Sequence, residues 1–175
     1  MPPDGNMGLY THIKQNTIDS YKNRSDTYRQ RLIDFNRQPT ITRVGKPTNI
    51  ARARKLGYRA KQGVIVVRVG LIGGSSKRKT ASGGRKPSKS GRYFTRHKSL
   101  ISIAEGRASR KFSNCEVLNS YFVGKSGSKS FFEVILLERA NPSVLSDKIY
   151  GKIVSSKGRA MRGLTSAGRS HRGFK

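Results

Sequence analysis

Between Asp34 and Glu105 the chain carries no acidic residue, and the 70 positions from 35 to 104 hold 18 lysines and arginines. The 28 residues after Asp147 add eight more cations, again with no acid. Like charges repel over a Debye length of ~8 Å at physiological salt, and a solvated protein face ordinarily mixes signs. Segments of one sign this long call for an external polyanion. Across all 175 residues, 37 Lys and Arg stand against 9 Asp and Glu, a net charge of +28. A membrane-surface binder would back its cations with the apolar face of an amphipathic helix. The densest basic region, Gly73 to Lys98, offers only Ala81, Tyr93 and Phe94 as apolar side chains. Cations spread along a whole chain fit a phosphate lattice better than an acidic protein, with counterion release supplying much of the affinity.

The length allows one domain, or a small domain with long extensions. The longest apolar runs, Val64 to Val67 and Val134 to Leu137, fall far below the ~18 residues of a membrane span. No apolar segment near the N-terminus reads as a secretory signal, so a cytoplasmic protein is expected. Cys115 is the only cysteine, which excludes an internal disulfide framework, and three histidines supply no zinc spacing. Leu, Ile, Val and Phe together make up about a fifth of the chain, close to the ~20% below which charged sequences stay disordered. A core forms only if they are concentrated, and they are, around Val64 to Val69 and from Val117 to Leu137.

Leu9 and Ile13 at i and i+4 predict one helix, and Tyr28, Leu32 and Phe35 a second, capped at Ser25 or Asp26 and stopping before Pro39. Asn49 to Leu56, ended by Gly57, reads as a short helix with Arg52, Arg54 and Lys55 on its surface. VIVVRV at Val64 to Val69 is β-branched and nearly continuous, the pattern of a strand buried on both faces. Gly73 to Gly91, rich in glycine and serine, cannot bury enough surface to offset its ordering entropy and is expected to be disordered alone. Leu100, Ile103, Ala104 and Ala108 mark one face of a further helix. Val117 to Val123 and Phe131 to Leu137 predict a hairpin whose loop contains Gly127. From Gly151 onward the chain reads as a basic extension.

Few constellations offer chemistry. NSYFVGKS, Asn119 to Ser126, ends like a phosphate-binding P-loop, but the first required glycine is Asn119, the tight-turn positions are Tyr121, Phe122 and Val123, and no helix follows. A hairpin explains it. Glu105, Glu116, Glu133 and Glu138 read as local charge-balancing groups rather than an acid–base pair. Cys115 lacks a histidine partner and reads as a small semi-buried residue at a strand start. Arginine, whose planar fork binds phosphate bidentately and stacks on bases, supplies 20 of the 37 cations. Tyr58 and Tyr93 each lie between cations, where a ring either stacks on a base or anchors its loop to the core.

Four segments together carry a family resemblance: ARKLGYRAKQG (Ala53 to Gly63), AEGRASRK (Ala104 to Lys111), VLNSYFVG with FFEVIL (Val117 to Leu136) and RGLTSAGR (Arg162 to Arg169). In this order they resemble the archaeal and eukaryotic large-subunit ribosomal protein eL-fifteen family, over about residues 7 to 174. The chain departs from the family's usual Trp at Phe122, its acidic pair at Lys125 and Ser126, its Glu at Gly106 and its Asp-Pro at Glu138 and Arg139. HIK near the start and GVIVVRV look more archaeal than eukaryotic.

The resemblance implies an α+β fold, a small antiparallel β-sheet packed with helices, plus a long basic rRNA-binding loop and terminal extensions. It implies a structural protein of the large ribosomal subunit that binds folded large-subunit rRNA and touches neighbouring ribosomal proteins, with no catalysis, cofactor, membrane or small-molecule substrate. The expected division is an N-terminal helical region (7–38), a globular core (49–72 and 99–140), a basic loop (73–98) and a basic C-terminal extension (151–175). The expected RNA contacts begin with Arg52, Arg54, Lys55, Tyr58, Arg59 and Lys61 beside the domain. They continue with Lys77, Arg78, Lys79, Arg85, Lys86, Lys89, Arg92, Tyr93, Arg96 and Lys98 in the loop. Arg159, Arg162, Arg169 and Arg172 complete the set. The alternative is a DNA-architectural protein of chromatin type, which would usually show minor-groove wedges or a dimerisation surface.

Overall fold

The computed structural model describes residues 8–94 and 97–174. In chain order, helix α1 (Leu9–Lys22) and helix α2 (Asp26–Arg37) precede strand β1 (Ile41–Val44), helix α3 (Ile50–Lys55) and strand β2 (Val64–Ile72). Two short strands, β3 (Ser76–Lys77) and β4 (Tyr93–Phe94), flank a 3₁₀ turn at Pro87–Lys89. Helix α4 (Leu100–Lys111), the long strands β5 (Cys115–Ser126) and β6 (Lys129–Glu138), and helices α5 (Pro142–Leu145), α6 (Lys148–Val154) and α7 (Ser166–His171) follow. β1, β2, β6 and β5 form one antiparallel sheet in that order. The fold is α+β, and no helix among the described residues is long and apolar enough to cross a membrane.

Local signals account for the element starts. Ser25 accepts from the Tyr28 backbone N–H at 3.4 Å, Asn49 Oδ1 from Arg52 N–H at 2.9 Å, and Ser99 from Ser102 N–H at 3.4 Å. Each satisfies a helix donor that has no intrahelical partner. Between β5 and β6 only Gly127 and Ser128 remain outside the strands, so the hairpin reaches further than its apolar residues suggest. Gly127, at φ +55°, supplies the backbone conformation that so tight a turn requires.

β2 and β6 are the two inner strands, and β6 is buried from Ser130 to Leu137. Phe132, Val134 and Leu136 face one way and join Val67, Val69, Leu71 and Val117 under Ala104 and Ala108 of α4. On the opposite face, Phe131 packs with Tyr28, Leu32 and Phe35 of α2, Ile135 with Ala53 and Tyr58, and Leu137 with Val144, Tyr150 and Val154. Helices on both faces explain why β2 and β6 read as nearly unbroken apolar runs instead of alternating. At ~1.5–3 kcal/mol for each fully buried large apolar side chain, this sheet is the main source of stability. Cys115 begins β5, buried, and burial pushes its thiol pKa up, as suits an inert core residue.

Two expectations change. Residues 73–98 are not wholly irregular, since β3 and β4 pair as a small ribbon, Ser76 opposite Phe94 and Lys77 opposite Tyr93. The C-terminal segment is not an extension, because Val154, Ala160, Thr165 and Gly168 are buried against the body. Side chains too sparse to form a core of their own complete one that already exists.

Candidate nucleic-acid interface

The expected contact residues fall into three groups. On α3, Arg52, Arg54 and Lys55 are exposed, and the Arg54 guanidinium lies over the Tyr10 ring of α1, 5.4 Å from its centroid. Next along the chain, Arg59 and Lys61 converge on Asp147, at 3.1 and 3.0 Å, and Lys61 Nζ also donates to Ser143 O at 2.8 Å. Asp147 accepts as well from the Ile149 and Tyr150 amides at the start of α6. The Lys61 hydrogen bond, then these amides, hold its carboxyl down at about 2. Lys61 thus ties α6 to the chain ahead of β2, while Arg59 stays largely exposed. Tyr58 is only 9% exposed and packs with Ala53, Val66, Tyr121 and Ile135, so its ring is a core anchor rather than a stacking platform.

The arm between β2 and α4 is the second group. No described side chain from 73 to 98 is buried. Lys77 and Arg92 both lie 5.7 Å from the Tyr93 ring centroid, and Arg78 lies 4.4 Å from that of Phe94. These cation–π contacts brace the ribbon and hold three charges around two rings, with Tyr93 still 62% exposed. Lys79, Arg85, Lys86, Lys89 and Lys98 are exposed cations. Arg96 lies outside the described residues.

A family model described as ribosomal L15 matches residues 8–175. A protein of Methanocella arvoryzae named large ribosomal subunit protein eL15 is 44% identical over 172 residues, covering 94% of this chain and 86% of its own. One of the same name from Metallosphaera sedula is 47% identical over 149 residues, covering 83% of this chain and 69% of its own. The chain belongs to the ribosomal L15 family. The relatives give no support to the DNA-architectural alternative.

In this family member the third group, on the C-terminal segment, divides between structure and surface. Arg159 is turned inward: its Nη1 donates to Val117 O at 2.7 Å and its backbone N–H to Glu116 at 3.3 Å, and burial lowers its pKa. Arg162 bonds Ser156 at 2.9 Å, Arg172 lies over the Phe174 ring at 5.1 Å, and Arg169 is exposed. Arg159 and Arg169 both line one groove of about 550 Å³.

The residues that sequence reasoning misjudged are the glutamates. Glu105, fully buried, accepts from Ser120 Oγ and Thr165 Oγ1, each at 2.5 Å. Burial raises its pKa, and the two hydroxyls and Arg159 oppose the rise. Thr165 Oγ1 in turn accepts from the Gly168 amide at 3.1 Å, capping α7. Glu116 accepts from the Gly158 amide at 2.8 Å and lies 3.7 Å from Arg139. Glu133 accepts from Thr48 N–H at 3.0 Å, from Thr48 Oγ1 at 2.5 Å and from the Tyr121 hydroxyl, fixing the entry to α3. Burial and the Glu133 charge push the Tyr121 pKa upward, which keeps its proton in place as a donor. These carboxylates tether the segments around Thr48, Gly158 and Thr165 to β6, β5 and α4. Their sequence trace is faint, because the partners are hydroxyls and amides up to 85 residues away.

Proposed function

We propose that this chain is a structural constituent of the large ribosomal subunit, acting in the cytoplasm by binding and not by catalysis. It stabilises folded large-subunit rRNA and meets neighbouring ribosomal proteins where RNA helices crowd together. One observation carries the reading: the chain belongs to a family whose relatives bear large-subunit names, and its basic arm is free of acids and, among its described residues, of buried side chains. Such an arm gains little from packing on its own domain and much from phosphate neutralisation. We assign the RNA contacts to Arg52, Arg54, Lys55 and Arg59, to the arm cations from Lys77 to Lys98, and to Arg162, Arg169 and Arg172. Lys61, Tyr58 and Arg159 support those contacts from within the fold.

Cross-linking the protein in cell extract and sequencing the attached nucleic acid tests this. Large-subunit rRNA is the expected product, with the protein sedimenting in the large subunit. Recovery of chromosomal DNA, or equal affinity for duplex DNA and structured rRNA at moderate salt, overturns it, because 2′-hydroxyl and A-form contacts are lost on DNA.

A further inference from the structure

Among the described α-helices, α1 alone has no buried residue. It lies against α3, and between the two runs a groove of about 700 Å³, within the ~300–1,000 Å³ range of pockets that take a small molecule or a single nucleotide-sized group. Tyr10 and Lys14 come from α1, and Arg52, Arg54 and Lys55 from α3. Ile18 and Ala51 add apolar surface to the lining, and no acidic side chain is among the described residues that line it. The Tyr10 ring is 48% exposed and carries the Arg54 guanidinium at 5.4 Å. Four cations around an aromatic ring and apolar surface combine the two elements of single-stranded nucleic-acid recognition, a stacking platform and positive charge for the backbone. An acidic peptide would match the charge but has no flat face to set on Tyr10.

We propose that the α1–α3 groove captures one unpaired RNA nucleotide, its base stacked on Tyr10 and its flanking phosphates held by Lys14, Arg52 and Lys55. Arg54 braces the ring from the α3 side. The proposal rests on the rRNA-binding reading and adds to it a pocket for an extruded base, on a helix that the sequence assigned no contact. It also explains why an unburied helix carries an exposed tyrosine beside lysine and arginine.

The test uses the full chain and an RNA hairpin with a one-nucleotide bulge, the bulged base being 2-aminopurine, whose fluorescence falls on stacking. Wild-type protein is expected to quench the bulge. Tyr10→Leu, which keeps an apolar side chain under Arg54 but cannot stack, is expected to lose most of the quenching and roughly fivefold or more in affinity. Tyr10→Phe should retain both. Lys14→Ala should keep the quenching while lowering the salt slope by about 0.7–0.9. If wild type binds the hairpin without quenching, or Tyr10→Leu quenches as well as wild type, the pocket is wrong while the rRNA reading stands. If oligoglutamate, and not the hairpin, shields Lys14 and Lys55 from acetylation, the groove is a protein-docking site and the nucleotide assignment is overturned. Failure of wild type to prefer RNA over duplex DNA would instead defeat the parent reading.

Discussion

The arm at 73–98 and the segment at 148–174 are alike in composition, both rich in glycine and cations and both without an acid. Their structures differ. The arm buries no described side chain and holds its shape through a four-residue ribbon and cation–π contacts. The C-terminal segment lies folded on the body, with Thr165 on Glu105, Gly158 on Glu116, and Tyr150, Val154, Ala160, Thr165 and Gly168 buried. Composition alone does not decide whether a basic stretch is an extension. A buried carboxylate elsewhere in the chain, offering an acceptor to its amides and hydroxyls, does.

The largest effect is expected where that acceptor is removed. Glu105→Ala leaves the Ser120 and Thr165 hydroxyl donors without their acceptor in the core, at ~1–3 kcal/mol for each unsatisfied donor, so the chain should lose about 2–6 kcal/mol. Chemical denaturation measures the loss, and tryptic cutting at Arg169 and Arg172 should become early in the variant. An unchanged cutting pattern would break the comparison, because the segment would then be held by something other than its carboxylates.

Gly168→Ala comes next. A Cβ at Gly168 would sit 2.7 Å from Gly163 Cα and 2.8 Å from its carbonyl carbon, where no flexible side chain can yield. The spacing of RGLTSAGR follows from this backbone contact between its two glycines. Overpacking of this kind costs ~1–3 kcal/mol, read as a lower denaturation midpoint with an unchanged slope. Full stability in the variant would show that the segment's packing is looser than described.

The smallest effects on stability belong to the arm. Lys79→Ala, Arg85→Ala and Lys86→Ala should each change stability by less than ~0.5 kcal/mol. Each substitution at a true phosphate contact should nonetheless reduce the slope of log K against log salt by about 0.7–0.9. Stability losses above 1 kcal/mol would mean that the arm belongs to the core, and the contrast between the two regions would disappear.

Where a local rule operates, the sequence was readable. Ser25 caps α2, Asn49 caps α3, VIVVRV is a strand covered on both faces, and Val117 to Val123 pairs with Phe131 to Leu137 in a hairpin. The Cys115 thiol is a core residue, and NSYFVGKS lies wholly within β5. The illegible features depend on long-range pairing. Glu105 reaches Thr165 across 60 residues and Glu133 reaches Thr48 across 85, and nothing local distinguishes such a glutamate from a solvated one. Tyr58 sits among cations in the chain but points into the cluster around Ile135. Neighbours in sequence did not reveal which side of the backbone its ring takes.

Hydrogen exchange of the free, full-length protein, followed by mass spectrometry, tests the central contrast most directly. Amides from 79 to 88 should exchange close to the unprotected rate, and those of Gly158, Arg159 and Gly168, which donate to Glu116 and Thr165, at least ~100-fold more slowly. Assembly into the large subunit should then slow the arm while leaving the C-terminal segment nearly unchanged. Equal protection of both segments in the free protein would contradict the account, because the arm would then be folded without phosphate and composition would again predict structure.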